Sequence, residues 1–580
     1  MSLIDLALKI EEFSVISFDF FDTLFIRKLE EPESVFDLVG EKFKIDQFRA
    51  LRKRAQQLAF VEMHNKNKKE ISLDDIYNNF HELDEDKKHA VKAYELQLEL
   101  DVICPNQEMI PVFLKAIELG KKVVITSDMY LTSHYFKESL SKYNLPQVPL
   151  FISADCDATK RDFGDIFDIV KNEMKVVAEQ ILHIGDNQLA DVDKAQSKGL
   201  SAYHYQADSI TQRKNVPISE SIVNGLTDSR INSFSNGSGE QFAYQYGGPT
   251  LIGFSQWLKK ITINDKIDAL LYLARDGYMI KKYSDRSCKD DVSGPVEVYF
   301  KGSRTSFILS SINDTNFNEY IPYFLSGAYE LSAHELLERI GVVPPAQHLL
   351  HALGFAENKA IKEISYDNIY NLLNSMKKDI LKVCRANRRG LHQLLIDLNL
   401  PDNANIGLVD VGWKGTTQEA FENAIKPFFN YKVFGYYFCL ISNTSSTKKS
   451  MLDSTTVGEE TINKVYENRV AFELLFSAPH ETIIGHVLSN EKVKFIEDER
   501  QDKARSFFAP LEKGMSEFFD IYDNLTFKIH HLPEDNVLIK PFVDYAISGM
   551  WKQNKYILTM QNFDAWSATK NKTFSPGQYI

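Results

Sequence analysis

Apolar residues follow two rhythms along this chain, and their alternation predicts an α/β protein in two parts. Short apolar runs that end at polar or acidic turns occur at 15–18, 122–127, 148–153 and 181–185, and again at 267–273, 296–300, 406–411 and 432–440. Such runs, rich in Val, Ile, Leu and Phe, are the pattern of buried parallel strands. From about Pro32 to Asp101 the rhythm changes to three- and four-residue spacing, as at Val35, Leu38, Val39 and Phe43, which predicts an inserted helical block. A second helical insertion is predicted at about 312–400, and a helical, aromatic-rich region containing Trp551 and Trp566 follows the last strand. The Ser-, Asn- and Gly-rich stretch 208–240 reads as an interdomain connection, and Tyr244 to Pro249 as a turn before an apolar helix.

Ligands of parallel sheets bind beyond the carboxyl ends of strands, so the residues that follow each run are the candidates for chemistry. The first run leads into Asp19-Phe20-Phe21-Asp22-Thr23, the second ends at Thr126 and Ser127, the third precedes Lys160, and the fourth gives Gly185-Asp186 with Asp191 five residues on. Two carboxylates at that spacing suit a hard divalent cation. In the second half, Ala274-Arg275-Asp276-Gly277 is a strand-to-helix turn of the kind that binds anions. Lys301 and Arg304 follow the next strand, where they either clamp phosphate or are solvated. Asp410-Val411-Gly412-Trp413-Lys414-Gly415-Thr416-Thr417 is a strand end followed by a Gly/Thr loop.

Composition narrows the field. At 580 residues the chain exceeds the ~250–300 of a single core. A net charge of −13 argues against a general nucleic-acid binder. Five scattered cysteines without a CxxC pair (Cys104, Cys156, Cys288, Cys384, Cys439) fit buried thiols in a reducing compartment and no zinc site. Without a leader-like N-terminus or an apolar run of spanning length, a cytoplasmic protein is expected, with peripheral membrane contact left open.

The order of motifs in the first 207 residues resembles the haloacid dehalogenase superfamily of phosphatases, whose first motif is an apolar strand ending in a nucleophilic Asp, with Thr four residues later. The resemblance implies a Rossmann-like domain (1–207) with a helical cap at about 30–105. Asp19 would attack phosphorus, and Ser127, with Thr126 beside it, and Lys160 would stabilise the transferring phosphoryl group. Thr23 would line the pocket, and Mg²⁺ would be held by Asp19, the Phe21 carbonyl, Asp186 and Asp191. One position departs: Phe21 stands where such phosphatases carry a second Asp that protonates the leaving oxygen. Either Asp22 or another group substitutes, or the enzyme is slow, or the domain has lost its chemistry. Dehalogenases proper also lack that acid, but an acidic metal pair has no role in displacing a halide.

Residues 241–580 loosely resemble type I phosphoribosyltransferases, in which a strand ending in acid leads to a Gly/Thr loop cradling the 5-phosphate of phosphoribosyl pyrophosphate (PRPP). The resemblance implies substrate contacts from Arg275, Asp276, Gly277, Asp410, Gly412, Lys414, Gly415, Thr416 and Thr417, to which Lys301 and Arg304 add as phosphate candidates; further on, Glu473 and His480 are either general bases for an acceptor hydroxyl or structural residues. The usual pair of adjacent acids is broken, because Val411 follows Asp410. The whole layout is similar to fused proteins of bacterial surface-polysaccharide gene clusters. It implies transfer of 5-phosphoribosyl from PRPP to a glycan acceptor, lipid-linked acceptors included, and removal of the 5-phosphate to leave ribofuranose. Two alternatives stay open: a phosphatase whose second half is a binding module, and a scaffold with a degenerate catalytic domain.

Overall fold

The computed structural model describes residues 3–206, 215–287, 294–355, 359–441, 444–498, 504–559 and 576; Cys288 and Trp566 lie outside these. Two compact units divide the chain: Met1–Asn236 with Glu517–Val537, and Gly237–Ser516 with Leu538–Ile580.

The first unit contains β1 (Val15–Phe18), β2 (Phe25–Arg27), β3 (Ile103–Pro105), β4 (Lys122–Ser127), β5 (Leu150–Ile152), β6 (Ile181–Gly185) and β7 (Ser201–His204). Five of them form a sheet in the order β5-β4-β1-β6-β7. Every residue of β1 is buried, as expected of a central strand paired in parallel on both sides, Val15 to Lys122 and to Ile181. The strand order reverses between β1 and β6, and a crevice at such a reversal is where α/β sheets bind ligands.

β2 and β3 form an antiparallel ribbon that brackets the helical block Ser34–Phe43, Phe48–Asn65, Leu73–Asn78 and Glu85–Val102. Ser72 and Asp84 cap two of these helices with their side chains. Inside the block Arg52 is fully buried, forked onto Glu95 at 2.8–3.1 Å, with the Tyr77 hydroxyl on the same carboxylate at 2.7 Å. A buried charge survives only when paired this fully.

The expected connection at 208–240 takes a different form where it is described. Residues 218–231 are helical, and the Ser221 hydroxyl accepts the Glu31 N–H at 3.1 Å while Asn224 donates to Glu30 at 2.8 Å. A side chain at Gly225 would collide with the backbone of Leu29. The small polar residues that made this stretch look like a linker are those that let a helix lie directly on another backbone. Within the same unit, residues from 517 to 537 return to the block: Lys528 reaches Asp101 at 3.3 Å and His531 reaches Glu41 at 2.8 Å.

The second unit has β8 (Ala269–Leu273), β9 (Val296–Phe300), β10 (Asn405–Asp410), β11 (Lys432–Cys439) and β12 (Lys448–Leu452), a parallel sheet in the order β12-β11-β10-β8-β9. Here the reversal lies between β8 and β10. The insertion predicted at 312–400 is helical, with its own core of Leu336, Leu337, Leu372, Leu373 and Ile380. Tyr244 to Pro249 is not a turn but continuous helical backbone running into Gly248–Asp265. An antiparallel hairpin, β13 (Ile483–Ser489) with β14 (Lys492–Glu497), was not anticipated. Cys384 and Cys439 are buried, Cys104 and Cys156 half-buried, and all four are free thiols. Among the described residues no helix is long and apolar enough to cross a membrane.

Gly225→Ala is expected to destabilise the first unit by ~1–3 kcal/mol, as overpacking does. Faster hydrogen exchange in Ile218–Ile231, read by mass spectrometry, is the measure; unchanged exchange would show the segment to be a loosely attached connection.

Candidate functional site

Asp19 follows β1, fixed by its own N–H to the Ile184 carbonyl at 2.8 Å, and is 7% exposed. Lys160, buried on the loop after β5, donates to Asp19 Oδ1 at 2.6 Å and to Asp191 Oδ1 at 2.5 Å. His183 Nε2 meets the same Asp191 oxygen at 3.0 Å, and the Asn187 N–H donates to Asp191 Oδ2 at 2.9 Å. Gly185 is required here, because a Cβ would sit inside the Asp191 carboxyl. Oxygens of Asp19, Asp186 and Asp191 lie within 4.8 Å of one another.

Three carboxylates around one ammonium leave an excess of negative charge. Burial pushes Asp19 up to about 8, with Asp191 and Asp186 adding to the shift against the pull of Lys160. Asp186 rises to about 6 through burial and the charges of Asp22 and Asp191. For Asp191 burial is outweighed by Lys160 and His183, which hold it below the usual carboxylate range. Burial lowers Lys160 less than Asp19 and Asp191 raise it, so it stays an ammonium.

Other predicted residues fall around this centre. Ser127 is buried at the end of β4, and the Thr23 hydroxyl donates to Asp186 Oδ1 at 3.3 Å. Thr126 faces away: alternation along β4 turns its hydroxyl into the sheet, 2.8 Å from Ser17 Oγ, which also meets His183 Nδ1 at 2.8 Å. The Phe21 ring stacks with Tyr135 and packs edge-on against Phe20 and Phe136, with the Arg27 guanidinium 4.1 Å from its centre. Asp22 has a left-handed φ of 57° and lies close enough to Asp186 and Arg27 to influence both.

In the second unit a cavity of about 290 Å³ opens at the β8/β10 reversal, lined by Asp276, Arg304, Arg339, Asp410, Thr417 and Arg469 among others. Arg275, Gly412 and Glu473 also reach it, and the Trp413 indole N–H donates to Glu473 Oε1 at 2.9 Å. Asp276 and Asp410 are adjacent: burial and the Asp410 charge push Asp276 well above the carboxylate range. Gly277, Lys301, Lys414, Gly415, Thr416 and His480 do not line the cavity. Lys301 turns to Glu497 at 3.5 Å, His480 pairs with the Tyr299 hydroxyl at 2.6 Å, and Lys414 and Thr416 are exposed. Gly277 backs onto Tyr272, and Gly415, at φ 72°, turns the chain into helix Thr416–Ile425. Arg339 and Arg469 went unpredicted because they come from helices far from any strand end, where no local pattern marks them.

No family model matches the chain, and no curated protein does. Among solved structures the N-terminal part is similar to 2-haloacid dehalogenase from Pseudomonas syringae pv. Tomato DC3000, at 15% identity over 35% of this chain and 92% of that one (TM-score 0.27). HAD phosphatase from Thermococcus onnurineus matches at 19% identity over 35% and 90% (TM-score 0.24). Bacillus subtilis YfnB, in a structure bound to magnesium, matches at 18% over 36% and 92% (TM-score 0.26). Identities and scores this low add nothing to the reading of the site, which stands on its geometry.

Asp19 and Asp186 bind protons more tightly folded than at their ordinary value of 3.8. Without divalent cations the folded state therefore holds extra protons between pH 4 and 8, and stability falls as pH rises through that window. Urea denaturation in EDTA should show this decline, and Asp19→Asn should flatten it; an identical slope in the variant would refute the assignment.

Proposed function

We propose that the first unit hydrolyses phosphomonoesters through Asp19. The observation that carries this is the Lys160 ammonium held between Asp19 and Asp191 at 2.6 and 2.5 Å, with Asp186 alongside. An Asp19 oxygen forms a bond to phosphorus as the ester oxygen departs, giving an aspartyl phosphate. Water then attacks that phosphorus, releasing orthophosphate and restoring the carboxylate. Lys160 and the Ser127 hydroxyl offset charge on the transferring oxygens. Phe21 cannot move a proton, so Asp22 is assigned to protonate the leaving oxygen and then to take a proton from water. The donor set fits Mg²⁺, being all oxygen and short of positive charge; Asp19, Asp186, Asp191 and the Phe21 carbonyl would hold it, supplying charge neutralisation at the phosphoryl oxygens.

For the second unit we propose transfer of a 5-phosphoribosyl group from PRPP to a glycan acceptor, whose phosphomonoester product the first unit would hydrolyse to ribofuranose. Arginines and paired acids in one cavity support it. Arg304 and Arg469 suit phosphate oxygens, and Asp276 beside Asp410 supplies in space the second acid missing after Asp410 in sequence. Glu473, held by Trp413, is the better placed of the two candidate bases.

Incubation with PRPP, Mg²⁺ and a panel of glycan acceptors, following pyrophosphate and orthophosphate separately, tests both steps. Pyrophosphate should depend on acceptor and vanish in Asp410→Asn, while Asp19→Asn removes orthophosphate alone. Orthophosphate from simple phosphomonoesters with no pyrophosphate would leave a hydrolase with a binding module; loss of both products in Asp410→Asn would contradict two separate sites. Asp22→Asn should lower hydrolytic kcat by ~10²–10⁴-fold, the range of a general acid–base, and a smaller loss would remove Asp22 from that role.

A further inference from the structure

The loop carrying Lys160 is gripped from two sides. From the sheet, Asp128, the residue after Ser127, accepts the Lys160 N–H at 2.8 and 3.0 Å on its two oxygens and the Arg161 N–H at 2.9 Å. From the helical block, Glu70 takes the Arg161 guanidinium in a fork at 2.8 and 3.0 Å. The N–H groups of Lys69 and Glu70 both donate to Asp157 Oδ1, at 2.8 and 3.2 Å. Lys69 Nζ reaches Asp165 Oδ2 at 2.5 Å, while the other Asp165 oxygen accepts the Thr159 N–H at 2.9 Å.

These contacts differ from ordinary surface pairs. Glu70 is 5% exposed, and its Oε2 also accepts the Ser153 hydroxyl at 2.9 Å, the oxygen of which takes the Met129 N–H at 2.9 Å. A forked Arg–carboxylate pair with one partner buried has a defined geometry and little freedom. A lysine side chain is flexible, so the place of its ammonium depends on where the loop sets its backbone.

We propose that Glu70, Arg161 and Asp128 are positioning residues. Seating of the helical block, through Glu70 on Arg161, fixes the 157–165 loop and so delivers the Lys160 ammonium to Asp19; a block that is not seated leaves the site without its resident positive charge. The kinetic part of this inference rests on the hydrolase reading of the first unit, whereas the structural part does not.

The test uses the full chain with Glu70→Gln and Asp128→Asn, which act on opposite sides of the loop, and Glu62→Gln, on an exposed pair of the same block, as control. Lys160 is 2% exposed, so reductive methylation by formaldehyde, read by peptide mass spectrometry, should spare it in the wild type and in Glu62→Gln. Both loop variants should become labelled at Lys160. Hydrolysis of p-nitrophenyl phosphate with Mg²⁺ should lose kcat by ~10–100-fold, as small misplacements do, with KM within about twofold. The exchange Glu70→Arg with Arg161→Glu should recover part of kcat. Lys160 still protected in both variants, or kcat within about twofold of wild type in both, overturns the proposal. If one variant fails to fold, the other decides. If the wild type hydrolyses nothing, the hydrolase reading fails and labelling alone decides the positioning role.

Discussion

One ammonium shared between two carboxylates in a dry site is what the first unit is organised to hold. Lys160 donates to Asp19 and Asp191 at once, and each partner is set by a different strand. Asp19 is pinned by β1 against β6, while Asp191 is pinned by His183, the Asn187 amide and the space left at Gly185. The His183 ring is in turn fixed by Ser17 from β1. The register of β1 and β6 thus converges on a single proton-donating group. Burial makes the arrangement stiff, and it gathers three carboxyl groups around a single ammonium.

The second unit solves a related problem with the opposite balance. Asp276 and Asp410 face each other from the ends of adjacent strands while arginines from four different segments reach the same cavity. Because β8 and β10 are neighbours in the sheet but about 140 residues apart in the chain, two acids far apart in sequence are brought together here by strand order.

What could be read in advance follows from this. Parallel strands are buried on both faces, so their apolar runs and the residues that end them stood out; Asp19 and Asp186 were legible as strand ends, while Ser127, Lys160 and Asp191 were singled out through the order of motifs, and the structure places all five at one end of the first sheet. Direction within a strand was harder. Thr126 and Ser127 are equivalent in sequence, and only the pleat sends one hydroxyl toward Ser17. Composition was a mixed guide at 208–240, where the serines and Gly225 of helix Ile218–Ile231 serve close packing although the two units do divide at Asn236/Gly237, and at Tyr244 to Pro249, which opens the apolar helix but without a turn. Arg339 and Arg469 lie on helices whose periodicity reports only their apolar faces, so their reach into a cavity was invisible until the helices were placed.

The return of residues 517–537 to the first unit has a bearing on how the protein comes to exist. A unit whose sheet is complete by residue 204 nevertheless gains a second lysine on Asp101, already paired with Lys142, and a partner for Glu41 only when Lys528 and His531 have been made. During synthesis the residues around Lys160 can assemble early, yet the helical block gains these two contacts only after the second sheet has been translated. Chain topology thereby orders the two halves in time, and a fragment ending near residue 236 would carry Asp19, Lys160, Asp186 and Asp191 without the contacts that Lys528 and His531 add to the helical block.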